Sequence, residues 1–270
     1  MINFSLGLIF LSPGKKQKKP KFHVDLLPSL DGVTVKPHLT LRSALSLHAK
    51  SYDPLGFILP TKMFGSILFR VTLNDLKKFN SGKIPWDMAI EDPILQKKWF
   101  DYFEMLLQVE KITFDRCVKP DGAVGDPDLV TFNDGNPDAF GVTAYAVYDL
   151  ANGDQSASLL MSKAKLGPLT HKGDTVKNEL CGATLASRIK ICLIKESGLQ
   201  FKEHFHFLDS MIVKEMLKKS SYGFNTFVGL RIGEIQEKCD FGDWLHIPSK
   251  ENIADILTKG APPDLSLIHI

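Results

Sequence analysis

Residues 129–135 read Leu129-Val130-Thr131-Phe132-Asn133-Asp134-Gly135. The run Leu129–Phe132 is apolar and β-prone, so it predicts a strand. The segment ends on an acid followed by glycine. Downstream, Phe140–Leu150 alternates, with Phe140, Val142, Ala144 and Ala146 on one face. Asn152-Gly153 predicts a hairpin turn, because both residues tolerate positive φ. Ser158–Leu166 alternates again, which makes three strands of an antiparallel meander. Thr175–Lys195 then has helical spacing and is apolar nearly all round, so this helix is expected to be buried on more than one side. A fourth strand (Phe205–Leu208), a short helix with Val213 and Leu217, and a mixed segment (Phe224–Gln236) follow. A last strand (Trp244–Ile247) leads into a closing helix (Asn252–Lys259), which Gly260 and two prolines end.

Four acids stand at the ends of these elements. Asp134 follows the first strand, Glu179 lies in the first turns of the buried helix, Asp209 ends the fourth strand and Asp255 heads the closing helix. They are too far apart in sequence to share a loop, so only a fold that gathers the elements can cluster them. Carboxylates gathered in one groove repel each other, and hard divalent cations offset that repulsion. Mg²⁺ binds such oxygens and keeps several waters. A pair of such ions can activate water and stabilise the leaving oxygen of a phosphodiester. Each acid also has a plainer reading. Asp134-Gly135 can make a turn, and Glu179 can favour a helix N-terminus. Asp209-Ser210 can cap the helix that follows, and Asp255 can complete a capping box begun by Asn252.

The 270 residues suffice for one or two domains. With 44% apolar and 24% charged residues, the chain has an ordinary globular balance, not that of a disordered, collagen-like or rod-forming sequence. Lys and Arg number 33 against 31 Asp and Glu, so any nucleic-acid binding must come from a local patch. Four scattered cysteines contain no C-x-x-C pair, which argues against a disulfide framework or zinc ribbon and for a reducing compartment. No apolar run approaches membrane-spanning length. The apolar start, Met1–Gly14, is expected to be a strand, since it lacks the basic region and cleavage site of a signal peptide. A lysine run (Lys15, Lys16, Lys18, Lys19, Lys21) follows; it reads as a solvated loop, with a nucleic-acid or nuclear-import patch as the alternative.

Between Leu39 and Arg70 a helical pattern is broken at Tyr52-Asp53-Pro54-Leu55-Gly56, and Pro60 is placed to start a second helix. A third helix is expected over Ile94–Val109, with Trp99, Phe103 and Leu106 at helical spacing. The turn-rich stretch Lys119–Pro127 is the expected boundary. The expected division is therefore 1–121, mostly helical, and 129–263, carrying the four acids. His204 and His206 alternate on a strand, an arrangement more often ordinary than metal-binding.

The order of strands, helices and acids resembles the ribonuclease H arrangement. The motifs resemble the Pol polyprotein of Pao/BEL retrotransposons, from the end of the reverse transcriptase through its ribonuclease H domain. Leu6-Gly7-Leu8 resembles part of L-G-x-x-W. Leu41-Arg42-Ser43 with Asp53-Pro54-Leu55-Gly56 and Pro60 resembles x-R-x-x-L-S…D-P-L-G-x-x-x-P. Phe132-Asn133-Asp134 with Ala139-Phe140-Gly141 resembles F-x-D-A-S…A-y-G, and Gly135 and Asn136 stand where the family has Ala and Ser. Glu179-Leu180 resembles the E-L-x-A helix, and Leu208-Asp209-Ser210 the T-D-S strand end. Trp244-x-His246-Ile247-Pro248 through Asn252-Ile253-Ala254-Asp255 and Lys259-Gly260 resembles W-x-H-V-P-x-x-x-N-P-A-D…R-G. The closing Ser266–Ile270 resembles nothing in the family, and the chain reads as a truncated Pol fragment.

The resemblance implies an α/β, ribonuclease H-like mixed sheet flanked by helices. A polymerase thumb or connection segment would precede it. Asp134, Glu179, Asp209 and Asp255 would be the catalytic, metal-binding acids of a two-metal Mg²⁺ (or Mn²⁺) site. Lys163 and Lys165 are candidates for phosphate contacts. The implied reaction is hydrolysis of RNA in RNA–DNA hybrids. The implied partners are the hybrid and the polymerase and integrase parts of an intact Pol, in the cytoplasm or nucleus and with no membrane. The rival reading is a non-catalytic, decayed or nucleic-acid-binding remnant. Polymerase activity is excluded, because no Asp-Asp pair occurs. The family segment has also carried the label of an aspartic peptidase. Such an enzyme needs D-[ST]-G, whereas Asp209-Ser210 is followed by Met211.

Overall fold

The computed structural model describes residues 2–3, 38–78, 83–109, 113–114, 117–169 and 173–263. The lysine run Lys15–Lys21, the Leu6-Gly7-Leu8 motif and the tail Ser266–Ile270 lie outside the described residues. The described residues fall into two compact units. One lies within Met1–Tyr52 and Phe64–Phe114, the other within Asp53–Met63 and Asp115–Ile270.

The first unit contains β1 (Ile2–Asn3), α1 (Leu41–Ala49), most of α2 (Leu59–Lys77), α3 (Pro93–Gln108) and β2 (Thr113–Phe114), which pairs antiparallel with β1. Thr40 caps α1: its hydroxyl accepts from the Ser43 amide, and Ser43 returns a bond to the Thr40 N–H. Asp92 caps α3, with Pro93 at the first helical position. The apolar faces of α1, α2 and α3 close on Leu41, Leu68, Leu95, Trp99 and Tyr102. The Trp99 indole N–H is satisfied by Thr72 Oγ1 at 3.0 Å.

The second unit is a five-stranded mixed sheet flanked by helices. Its strands are β3 (Ala123–Gly135), β4 (Ala139–Leu150), β5 (Gln155–Leu166), β6 (His204–Leu208) and β7 (Trp244–His246), in the order β5-β4-β3-β6-β7. The β3–β4–β5 meander is antiparallel, while β6 lies parallel to β3 and β7 parallel to β6. Helix α4 (Thr175–Glu196) is the buried crossover from β5 to β6. Helices α5 (Met211–Leu217), α6 (Thr226–Lys238) and α7 (Asp255–Lys259) complete the unit.

Three elements differ from expectation. Strand β3 begins at Ala123, inside the turn-rich stretch, because a bulge between Val124 and Asp128 absorbs Gly125 (φ +71°) and Pro127. The mixed segment is helix α6; Asn225 caps it, and Gly229 lets it pass close to Ser221, whose carbonyl oxygen would lie 2.7 Å from an added Cβ. The closing helix is only Asp255–Lys259, shorter than the pattern suggested.

The register sorts the sheet into two faces. Leu129, Val142, Ala144, Ala146 and Tyr148 pack under α4 with Leu180, Ala183 and Ile189. Phe132, Leu159 and Ala164 lie on the opposite face with Leu59, Ala254 and Leu257.

Candidate metal centre

Strand β3 delivers Asp134 at its end, opposite Gly141 of β4 and therefore on the α7 face. The parallel register pairs Asn133 with Leu208, so Asp209 emerges beside Asp134 at the same end of the sheet. Glu179 comes from the second turn of α4, which crosses close behind β3. That closeness depends on two glycines. A Cβ on Gly135 would stand 2.2 Å from the Glu179 amide nitrogen, and one on Gly182 would stand 2.9 Å from the Asp134 carbonyl oxygen.

Neighbouring residues perform the plain structural roles that these three acids could have had. Asn136 makes the turn after β3, its Oδ1 accepting the amides of Asp138 and Ala139 at 2.9 and 2.8 Å. Asp174, not Glu179, caps α4 through the Lys177 amide. Ser210, not Asp209, caps α5 through the Val213 amide. The capping box at α7 does not form: its cap position is Ala254, with no side-chain cap. Asn252 instead donates to the Asn133 carbonyl at 2.9 Å and accepts from the Ala254 amide at 3.2 Å.

Among the described residues, Asp134, Glu179 and Asp209 each place a carboxylate oxygen within 4.8 Å of the other two. Asp134 and Glu179 are buried and Asp209 is half-buried. Burial, reinforced by Asp209 and then Asp134, pushes Glu179 up to about 8. Burial likewise pushes Asp134 up to about 6. The hydroxyl of Thr258, which donates to its Oδ2, opposes that shift, and Asp209 and Asp255 add to it. Glu179 Oε2 and Asp209 Oδ1 are buried and have no hydrogen-bond partner among the described residues. Buried acceptors without donors are costly, and hard oxygen donors are the ligands that Mg²⁺ or Mn²⁺ takes. The donor set therefore fits a divalent cation.

Asp255 stands beside this group without joining it. It is near enough to raise Asp134, but its carboxylate lies 2.7 Å from Lys259 Nζ. Lys163 and Lys165 are exposed on the edge strand β5. They pair with Val142 and Phe140, so the register puts them on the α4 side, away from the Asp134 face. His204 and His206 form no metal group with other residues among those described. His206 is buried, 2.6 Å from Thr131 Oγ1, with its ring tilted against that of Trp244. Sequence reasoning missed Thr258, and it gave Asn252 a capping role where the structure gives it a bond to the β3 backbone. Thr258 is a hydroxyl directly after the apolar pair Ile256-Leu257, which is the signal that could have found it.

The Pao retrotransposon-like RNaseH-like domain family matches residues 40–210, well over half of the chain. The chain belongs to this family. The match starts in the first structural unit and ends just past Asp209. Among solved structures, the protease-reverse transcriptase of Prototype Foamy Virus is similar, with 12% identity over 70% of this chain and a TM-score of 0.30. The Pao-family chain spans 30% of the length of that protein. No curated protein matches it. Among the described residues, no helix is long and apolar enough to cross a membrane.

Proposed function

We propose that this protein is a metal-dependent ribonuclease H, an endonuclease that hydrolyses the RNA strand of RNA–DNA hybrids as part of a retrotransposon Pol polyprotein. The observation that carries the reading is the convergence of three carboxylate oxygens within 4.8 Å, two of them on acids with an unpartnered buried oxygen. In this reading Asp134, Glu179 and Asp209 hold Mg²⁺ or Mn²⁺, and Asp255 acts at the rim beside Lys259. A cation pair held there would supply activation of water and stabilisation of the leaving 3′-oxygen. The protein contributes a fixed, partly dry cradle. Asp134 is held by Thr258, Glu179 by the rigid start of α4, and Asp209 by a strand end whose helix cap is supplied elsewhere. Water attacks phosphorus, the P–O3′ bond breaks, and the products carry a 5′-phosphate and a 3′-hydroxyl.

Residues 129–263 would be the nuclease domain and 1–121 a polymerase thumb or connection segment. The polymerase and integrase parts of an intact Pol would be its partners. Lys163 and Lys165 would contact phosphates only on the strand edge remote from the cleavage site.

The test is cleavage of a labelled RNA–DNA hybrid in Mg²⁺ or Mn²⁺ by the full chain, beside Asp134→Asn and Asp209→Asn. Cleavage by the parent is expected to fall at least about 100-fold in either variant and to stop with chelator. A folded parent that leaves the hybrid intact would assign the non-catalytic remnant instead.

A further inference from the structure

The D-P-L-G motif lies far upstream of the acids in sequence, yet it belongs physically to the sheet unit. Its own geometry is self-supporting. The Asp53 carboxylate accepts the amides of Phe57 and Ile58 at 2.8 and 3.0 Å, and the Gly56 carbonyl accepts from Leu59 as α2 begins. Gly56 has φ +76° and presses against β5, where an added Cβ would stand 2.0 Å from the Ser162 carbonyl oxygen. The Ser162 amide donates to the Leu55 carbonyl at 2.7 Å. An edge strand has unpaired backbone groups, and this strap covers one of them.

The far end of the strap grips α7. The Ala261 amide donates to the Pro60 carbonyl at 3.2 Å, and the buried Thr61 hydroxyl donates to the Ala261 carbonyl at 3.1 Å. Leu59 packs in the same cluster as Leu257 and Ala254. Helix α7 needs such support. It has five residues and no side-chain cap, and a helix that short does not persist on its own. It nevertheless carries Thr258, the donor to the Asp134 carboxylate. Contacts therefore run without a break from the strap, through Ala261 and α7, to an acid of the site.

We infer that the Asp53–Met63 strap is a positioning element of the acid site, with Thr61 and Thr258 as its positioning residues: it sets α7 so that Thr258 holds Asp134. The nuclease then requires the strap as well as the segment after the turn-rich stretch. The inference rests on the reading of the acids as a hydrolytic site, and its test separates the two.

In the full chain, Thr61→Val removes the hydroxyl and keeps the shape, while Thr61→Ser keeps the hydroxyl. Amide hydrogen exchange over Leu257–Ala261 is expected to rise about tenfold in Thr61→Val, with His204–Leu208 still protected. The turnover of hybrid cleavage is expected to fall about tenfold, with KM for the hybrid unchanged, because the loss is one of geometry at the acids. Thr61→Ser should restore both. Thr258→Val and Thr258→Ser should reproduce the turnover effect and its rescue. Exchange at α7 that is equal in Thr61→Val and Thr61→Ser would overturn the proposal. So would a loosened α7 with turnover intact. A parent that does not cleave would defeat the hydrolase reading alone; the exchange comparison would still decide whether the strap holds α7.

Discussion

Glu179 shows how a single position reports on the whole site. Its carboxyl is raised to about 8 in the folded chain, above the ordinary value near 4.5 of the unfolded one. A raised acid favours the protonated folded state, so its stabilising contribution is present below about pH 4.5 and is lost as pH rises through about 8. Without divalent cations, Glu179→Gln should match the parent near pH 4.5 and exceed it at pH 8 by on the order of 4 kcal/mol. Thermal unfolding in chelator measures that gap, and saturating Mg²⁺ should close it by stabilising only the parent. His206 has the opposite sign. Burial first, then Lys190 and His204, push it down to about 3. Its contribution is full above about pH 6.5 and is lost as pH falls toward 3. Its ring resonances should therefore show no titration between pH 8 and pH 4.5 by NMR, and a midpoint near 6.5 would refute the buried, neutral assignment.

Among the elements, α4 and α7 divide the work of the site unequally. Helix α4 is long, capped by Asp174 and buried over most of its length, so it brings Glu179 to β3 as a rigid piece. Helix α7 is short, and neighbours at both ends hold it. At its N-terminal side Asn252 bridges the Asn133 carbonyl and the Ala254 amide. Asn252→Ala leaves a buried carbonyl without its donor and should cost about 1–3 kcal/mol, read as a lower urea midpoint with an unchanged slope. Hybrid cleavage should fall with it, because α7 carries both Thr258 and Asp255. The β3–β4–β5 meander was legible because alternation and Asn152-Gly153 are local signals. Helix α6 was not, because its glycines lower helix propensity, and the close passage of Ser221, which accounts for Gly229, is a tertiary contact.

Over the whole molecule, each unit has its own buried cluster, one around Trp99 and Tyr102 and one between α4 and the sheet. Trp99 is fully buried and tied to Thr72. Trp99→Ala should therefore cost the first unit about 3–5 kcal/mol, measured by urea unfolding followed by far-UV circular dichroism. The sequence alone determined the class of the sheet unit and the candidacy of its acids, because periodicity and acids at element ends are written in neighbouring residues. The tertiary structure decided which acids converge. It gathered Asp134, Glu179 and Asp209, left Asp255 with Lys259, and turned Lys163 and Lys165 to the other face. It also joined Asp53–Met63 to the sheet. Strand register, close approach at glycine and hydrogen bonds between distant residues settle these points, and they arise only when segments far apart in the chain are packed together.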